Sequence, residues 1–341
     1  MRAGPLDADT AVDQVIVIGA STGGLHALSD LLKHFPSDLS AAVFVTMHIG
    51  NNDSLLPFIL AKHTPLKVAF ARPQESIKKG HVYIAPPDHH LLVERHAIDI
   101  IRGAKENYAR PAIDPMFRSA AASYGQRAIG VILTGQLDDG VIGLDTIKAH
   151  GGLALVQDPD TAEARSMPDS ALRHVEVDAC LPLSELADVI VRTVKQWAAE
   201  PPLATNVPRI EPTATENELA HDISAGGGQA LDTIGVLSGM SCPECGGALW
   251  QLCGAVPHFR CHTGHSYTAA VLTHLQDKTL EEALWVAIRA LHEKQILLER
   301  LMARRTEAGL EHAATEYKTQ KDGLDTHKAA LKELIADLRS T

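Results

Sequence analysis

Long apolar runs are missing from this 341-residue sequence. Nothing approaches the roughly 20 consecutive apolar residues of a membrane-spanning helix, so no membrane insertion is expected. The opening residues MRAGPLDADTA also lack the apolar centre of a secretory signal. The expected location is therefore cytoplasmic. Positive charge is in short supply too: 31 Lys and Arg stand against 42 Asp and Glu, a net charge of -11. Binding nucleic acid in general needs a basic face to neutralise phosphates, so no nucleic-acid partner is expected. Cysteine is sparse, at five residues. That is too few for a disulfide scaffold in a chain this long. Yet Cys242, Cys245, Cys253 and Cys261 fall within twenty positions, which points to metal there rather than to disulfides.

What is present is ordinary soluble composition, 45% hydrophobic and 21% charged, and enough length for two or three domains. After a leader expected to be flexible (1–12), Val15-Ile16-Val17-Ile18 runs into Gly19-Ala20-Ser21-Thr22-Gly23-Gly24. A β-branched run ending in glycine reads as a strand buried on both faces. Leu25, Leu28, Leu31 and Leu32 then repeat at helical spacing. Ser21 thus sits at a strand-to-helix corner, either a nucleophile elbow or a phosphate-binding turn.

From there to residue 199 strands and helices alternate. Strands are expected at Ala42–Met47, Val68–Ala71, Val82–Ala85, Ala128–Leu133 and Leu153–Gln157, with a hairpin over 91–101. Helices are expected at Leu25–Phe35, Ser54–Lys62, Pro115–Tyr124 (with Asp114 as its N-cap), Val141–His150 and Leu183–Ala199. This is the pattern of an α/β domain over 13–199, a three-layer, mostly parallel sheet with helices on both faces. Residues 200–235, rich in proline and without periodicity, read as a linker. A small module follows over 236–275. Over 276–341 two leucine-striped segments read as a helical hairpin or coiled coil, the first opened by a capping box at Thr279–Glu282. One seam is Leu284, Ile288, Leu291, Leu298 and Met302, the other Leu324, Leu331, Leu334 and Leu338.

In a parallel sheet the C-terminal strand ends share one rim, where ligands bind. Ser21 follows the first strand, His48 the second, and Asp138 and Asp139 the strand at 128–133. A hydroxyl, an imidazole and a carboxylate are the set for nucleophilic acyl transfer: the imidazole takes the serine proton and the carboxylate fixes the imidazole. Free amides at the helix start after Ser21, from Thr22 and Gly23, would receive the oxyanion. Taken singly, Ser21 and Asp139 read as caps and His48 as a buried core histidine; their common rim favours the joint reading.

Several ordered motifs resemble the chemotaxis protein-glutamate methylesterases. They are Gly19–Gly24, His48 after its strand, Tyr83-Ile84-Ala85-Pro86 with His90-Leu91, Arg110–Ser119, Leu133-Thr134-Gly135 with Asp139-Gly140, Gln157-Asp158-Pro159, and Met167-Pro168. The resemblance covers about 13–199. It implies a three-layer α/β fold and a Ser-His-Asp triad that hydrolyses glutamate γ-methyl esters on chemoreceptor helices, together with glutamine deamidation. It places the nucleophile at Ser21, the base at His48 and the orienting acid at Asp139, and it implies no cofactor for catalysis. It also implies a backbone donor near the oxyanion at Gln136, where the family carries Met. Leu137 stands where the family has Gly, and Ile49-Gly50 where it commonly has Met-Pro. Familiar members carry a phosphorylatable receiver domain ahead of the esterase. Here the first strand arrives after about a dozen residues, so the expectation is regulation through a partner or the C-terminal part.

Cys242-Pro243-Glu244-Cys245 and, sixteen positions on, Cys261-His262-Thr263-Gly264-His265 have the spacing of a structural zinc site. Cys242, Cys245, Cys261 and His265 are the expected ligands, with His262 the rival fourth. A module of about 30 residues with so small a core needs a metal to fold. Such ribbons also follow the esterase domain in some receiver-less relatives. The expected partners are a methylated chemoreceptor-type helical protein and, through the helical tail, a kinase or methyltransferase. The competing function is a weak or inactive adaptor that works through its ribbon and tail.

Overall fold

The computed structural model describes residues 12–201, 207–221 and 227–338; the leader proper lies outside them. The chain divides into two units, Met1–Val271 and Leu272–Thr341.

The first unit opens with β1 (Val15–Ala20), α1 (Gly24–Leu32), β2 (Ala42–Met47), α2 (Leu56–Leu60), β3 (Lys67–Phe70) and β4 (His81–Ile84). The antiparallel hairpin of β5 (His90–Val93) and β6 (Ile98–Ile101) leads to α3 (Ile113–Tyr124). Then come β7 (Ala128–Ile132), α4 (Val141–Ala149), β8 (Leu153–Gln157), α5 (Ser166–His174), β9 (Ala179–Leu181) and α6 (Leu183–Ala199). Seven strands form one sheet in the order β3-β4-β2-β1-β7-β8-β9, and every pairing in it is parallel. β1 lies at the centre, buried along its whole length. Its side chains alternate between two cores. Val15 and Val17 pack with α3, α4 and α5, while Ile16 and Ile18 pack with α1, α2 and α6. That is the three-layer fold the sequence implies.

The α3–α4 crossing is close enough to require glycine. A Cβ on Gly143 would lie 2.5 Å from Phe117 Cβ. This approach brings the Gly143 amide to Asp114, whose Oδ1 accepts from it at 2.7 Å. Asp114 is therefore not the N-cap. The helix starts two residues earlier, Ala112 is the cap, and Asp114 lies in the first turn with its carboxyl turned to α4.

Residues 200–235, read as a linker, carry α7 (Glu211–His221) and α8 (Gly227–Ile234) among their described residues. Apolar periodicity misses α7 because its buried face is partly polar, with Thr213 and Glu216 buried beside Leu219 and Ala220. β9 and α5 are also unanticipated: β9 is only three residues long and half-buried. A four-stranded antiparallel sheet follows, β10 (Gly235–Ser241), β11 (Ala248–Leu252), β12 (His258–Cys261) and β13 (Ser266–Thr268), paired in that order. It belongs to the same unit as the α/β layers.

The long helix α9 (Ala269–Glu307) starts well before the expected capping box. Thr268 caps it, its Oγ1 accepting from Val271 N at 3.2 Å. Thr279 lies mid-helix and donates its hydroxyl to Leu275 O instead. In the second unit α9 and α10 (Glu311–Leu338) run antiparallel, as the pairs Lys321–Glu299 and Gln295–Asp325 require. Ile288, Leu298 and Leu324 are buried; Ile335 is buried where Leu334 was expected, and Leu334 is 45% exposed.

Candidate active site

The strand order reverses at β1 and β7, and a crevice outside the C-terminal ends of parallel strands at such a switch is a natural binding place. Ser21 ends the run of β1, His48 follows β2, and Asp139 lies in the loop after β7. The structure brings all three together. Ser21 Oγ is 3.0 Å from His48 Nδ1, and His48 Nε2 is 2.7 Å from Asp139 Oδ2. The corner under Ser21 is tied to the neighbouring loop: Ser21 N donates to Thr134 O at 3.0 Å, and Thr134 Oγ1 donates to Thr22 O at 2.9 Å. Gln157 in turn accepts from Thr134 N. These contacts account for the Leu133-Thr134-Gly135 and Gln157 motif positions as braces of the corner.

The imidazole faces its partners with a defined hand. A carboxylate only accepts, so the proton on His48 lies at Nε2, and Nδ1 is left bare toward the Ser21 hydroxyl. Asp139 is 2% exposed. Burial alone would raise its carboxyl. The hydrogen bonds from His48, the Asn107 amide and the Ile113 N–H outweigh burial and hold it below the ordinary aspartate range. Ile113 N donates to Oδ2 at 2.7 Å and Asn107 Nδ2 to Oδ1 at 2.9 Å. The same Nδ2 donates to Asp114 Oδ2 at 2.7 Å. Burial, and then the Asp139 charge, push the Asp114 carboxyl well above its ordinary range. Asp138, adjacent in sequence, turns away from the histidine and accepts the Thr268 hydroxyl at 2.6 Å. Of the two aspartates open at the rim, Asp139 is the one that reaches His48.

Asn107 is the residue that sequence reasoning misses. It sits in an aperiodic loop at φ 50, next to Tyr108 at φ 61, a backbone region asparagine enters more readily than most residues. No spacing rule marks it. Its own carbonyl Oδ1 accepts from Thr268 N at 2.9 Å, and its backbone N donates to Ser266 O at 2.7 Å. Beside it, Glu106 takes both terminal nitrogens of Arg118 and the Arg260 Nη2 at 2.6 Å. Burial opposes ionisation of Glu106, but the two guanidiniums prevail and push its carboxyl down to about 2.

A cavity of about 650 Å³ opens over the three residues, lined by Thr22, Gln136, Leu137 and the basic side chains Arg102, Lys105 and Arg110 among others. Thr22 and Gln136 thus share the cavity with Ser21. Gly23 does not line it: it is the N-cap of α1 at φ 76, and a Cβ there would meet Glu163. Leu137, 40% exposed, holds φ 60, a left-handed backbone that suits the glycine of the related motif.

In the small sheet, Cys242, Cys245, Cys261 and His265 place one ligand atom each within 4.8 Å of the others. His262 is not among them; its ring packs against Gly247. Cys253 is exposed and also outside the group.

Seven parallel strands between two helical layers, with this rim, define an α/β protein of hydrolase-like layout. A family model described as CheB methylesterase matches residues 16–190. The chain is 41% identical over 181 residues to a putative protein-glutamate methylesterase/protein-glutamine glutaminase of Leptospira interrogans, covering 52% of this chain and 94% of that protein. It is 36% identical over 196 residues to protein-glutamate methylesterase/protein-glutamine glutaminase 2 of Methanosarcina mazei, covering 54% of this chain and 53% of that one. The crystal structure of the Thermotoga maritima CheB methylesterase catalytic domain is similar with a TM-score of 0.50 and 30% identity, over 53% of this chain and 98% of that one. The chain belongs to the CheB methylesterase family. Among the described residues no helix is long and apolar enough to cross a membrane.

Proposed function

We propose that this chain is a serine hydrolase that removes methyl groups from glutamate γ-methyl esters on a helical, chemoreceptor-type signalling protein. The observation that carries the reading is the hydrogen-bonded series Ser21–His48–Asp139 at the floor of one cavity. Ser21 Oγ attacks the ester carbonyl carbon as His48 Nδ1 takes its proton. The tetrahedral oxyanion lies toward the amides of Thr22 and Gln136; one such donor is worth roughly 2.7–4 kcal/mol in the transition state. His48 then gives the proton to the departing methoxide, and methanol leaves. Water, deprotonated by His48, cleaves the acyl-serine and frees the glutamate carboxylate. With glutamine as substrate the same steps release ammonia. Arg102 and Arg110, both paired with Asp88, and Lys105 line the cavity beside the three residues.

The test is methanol release from a methylated receptor fragment. The full chain releases methanol and Ser21→Ala does not. Equal release by both would remove Ser21 from the reaction.

A further inference from the structure

The four ligand atoms in the small sheet have the spacing of a filled coordination shell. Cys245 Sγ to Cys261 Sγ is 3.6 Å, Cys261 Sγ to His265 Nδ1 is 3.5 Å and Cys242 Sγ to His265 Nδ1 is 3.7 Å. Thiolates about 2.3 Å and an imidazole about 2.0–2.1 Å from zinc, set tetrahedrally, lie about 3.5–3.8 Å apart. A disulfide would need sulfurs about 2.05 Å apart. The turn at Cys242–Gly246 is closed by Gly246 N donating to Cys242 O at 2.8 Å, with Gly246 at φ 73. The geometry thus fits a closed zinc site with three thiolates and one imidazole.

What lies next to two of those ligands is less expected. Arg260 precedes Cys261 and donates to Glu106 at 2.6 Å. Ser266 follows His265 and accepts from Asn107 N at 2.7 Å. Two residues further, Thr268 N donates to Asn107 Oδ1 at 2.9 Å, and the Thr268 hydroxyl reaches Asp138 at 2.6 Å. Asn107 in turn holds Asp139. The turn that carries Cys261 and His265 is therefore clasped, on both flanks, to the loop that positions the acid of the rim.

We infer that a zinc ion held by Cys242, Cys245, Cys261 and His265 fixes β13 against Glu106 and Asn107, and so completes the support of Asp139. This rests on the hydrolase reading above only for its effect on rate. Asn107 and Thr268 are positioning residues, since neither touches the reacting atoms. Without zinc the turn between β12 and β13 loses its crosslink to the Cys242–Cys245 turn. Asn107 then loses the partners of its carbonyl and its backbone amide, and Asp139 loses a fixed donor.

The test uses the full chain. Zinc content is measured by mass spectrometry of the metal, and the expected value is one equivalent per chain, lost in Cys261→Ser. A chelator then removes zinc from the unmutated chain, and zinc is added back. Labelling of Ser21 by a fluorophosphonate is expected to slow about 10–100-fold on removal and to recover on addition. Amide hydrogen exchange over 104–110 is expected to rise and fall in step. Thr268→Val is expected to lower kcat at unchanged KM, and Thr268→Ser, which keeps the hydroxyl, to restore it. A chain that neither contains nor takes up zinc overturns the proposal. So does a zinc-free chain with unchanged exchange over 104–110, or with unchanged labelling. A zinc-loaded chain that never labels at Ser21 rejects the hydrolase reading instead, and the exchange measurement still decides whether zinc holds the loop.

Discussion

Asp114 and Asp139 are held by one amide group. Asn107 Nδ2 donates to Asp114 at 2.7 Å and to Asp139 at 2.9 Å. Two buried carboxyls share a single donor and respond in opposite directions: Asp114 is raised and Asp139 lowered. Asp139 keeps its charge because it alone also has the imidazole. Asn107→Ala removes the shared donor and leaves two carboxyls facing each other. A buried polar group left without its partner costs about 1–3 kcal/mol. The variant is expected to melt lower and to release methanol with a kcat reduced about 10–100-fold. Unfolding and steady-state assays on the purified variant check both, and a wild-type kcat would separate Asn107 from the site.

Asp139→Asn tests the hand of the imidazole. An asparagine amide can donate to Nε2, which moves the ring proton to Nδ1, where it faces Ser21. The base is then lost although the geometry survives. In a triad of this kind that error lowers kcat about 10⁴-fold. The expected result is a folded protein with almost no methanol release, whereas comparable rates would mean that Asp139 does not set the tautomer.

Glu106 makes stability depend on acid. Its carboxyl titrates near 4.5 ordinarily and is held at about 2 in the folded chain by Arg118 and Arg260. The ion pairs therefore contribute in full above pH 4.5 and are lost as pH falls from 4.5 toward 2. Over that window the loss is about 3 kcal/mol. Glu106→Gln is expected to be less stable than wild type at neutral pH and to lose less on acidification below pH 4.5. Thermal midpoints taken from pH 7 to pH 2.5 give the two curves, and parallel curves would reject the assignment.

Leu137 holds a left-handed backbone at φ 60 while 40% exposed. For a side chain with a Cβ that conformation costs about 1–2 kcal/mol, and β-branching adds to it. Leu137→Gly is expected to keep or raise the thermal midpoint, and Leu137→Val to lower it by roughly 1 kcal/mol equivalent. A marked drop for glycine would show that the leucine side chain contributes more than its backbone costs.

The α/β layers are legible in the sequence because their signals are local. Val15–Ala20 reads as a strand buried on both faces since each residue is apolar, and it is buried throughout. Ser21, His48 and Asp139 can be placed at one rim because a parallel sheet puts strand ends together. The supports of that rim are not legible. Asn107 meets Thr268 across 161 positions and Glu106 meets Arg260 across 154, joining segments without a shared period. Nor is α7, whose inward face carries Glu216 among its apolar residues. Polar residues on a buried face look, in sequence, like solvated ones.

The buried charges around Glu106 also separate two meanings of the word domain. The family match ends at residue 190, whereas the unit containing β1 runs to Val271. Arg118, 1% exposed, finds Asn217 at 3.1 Å and Glu216 at 3.7 Å beyond that end, and Glu106 finds Arg260 there. A fragment trimmed to the region of likeness would strip those counter-charges and lay open the back of the loop that holds Asp139. For this chain the stretch that resembles the family is shorter than the stretch packed into one compact unit.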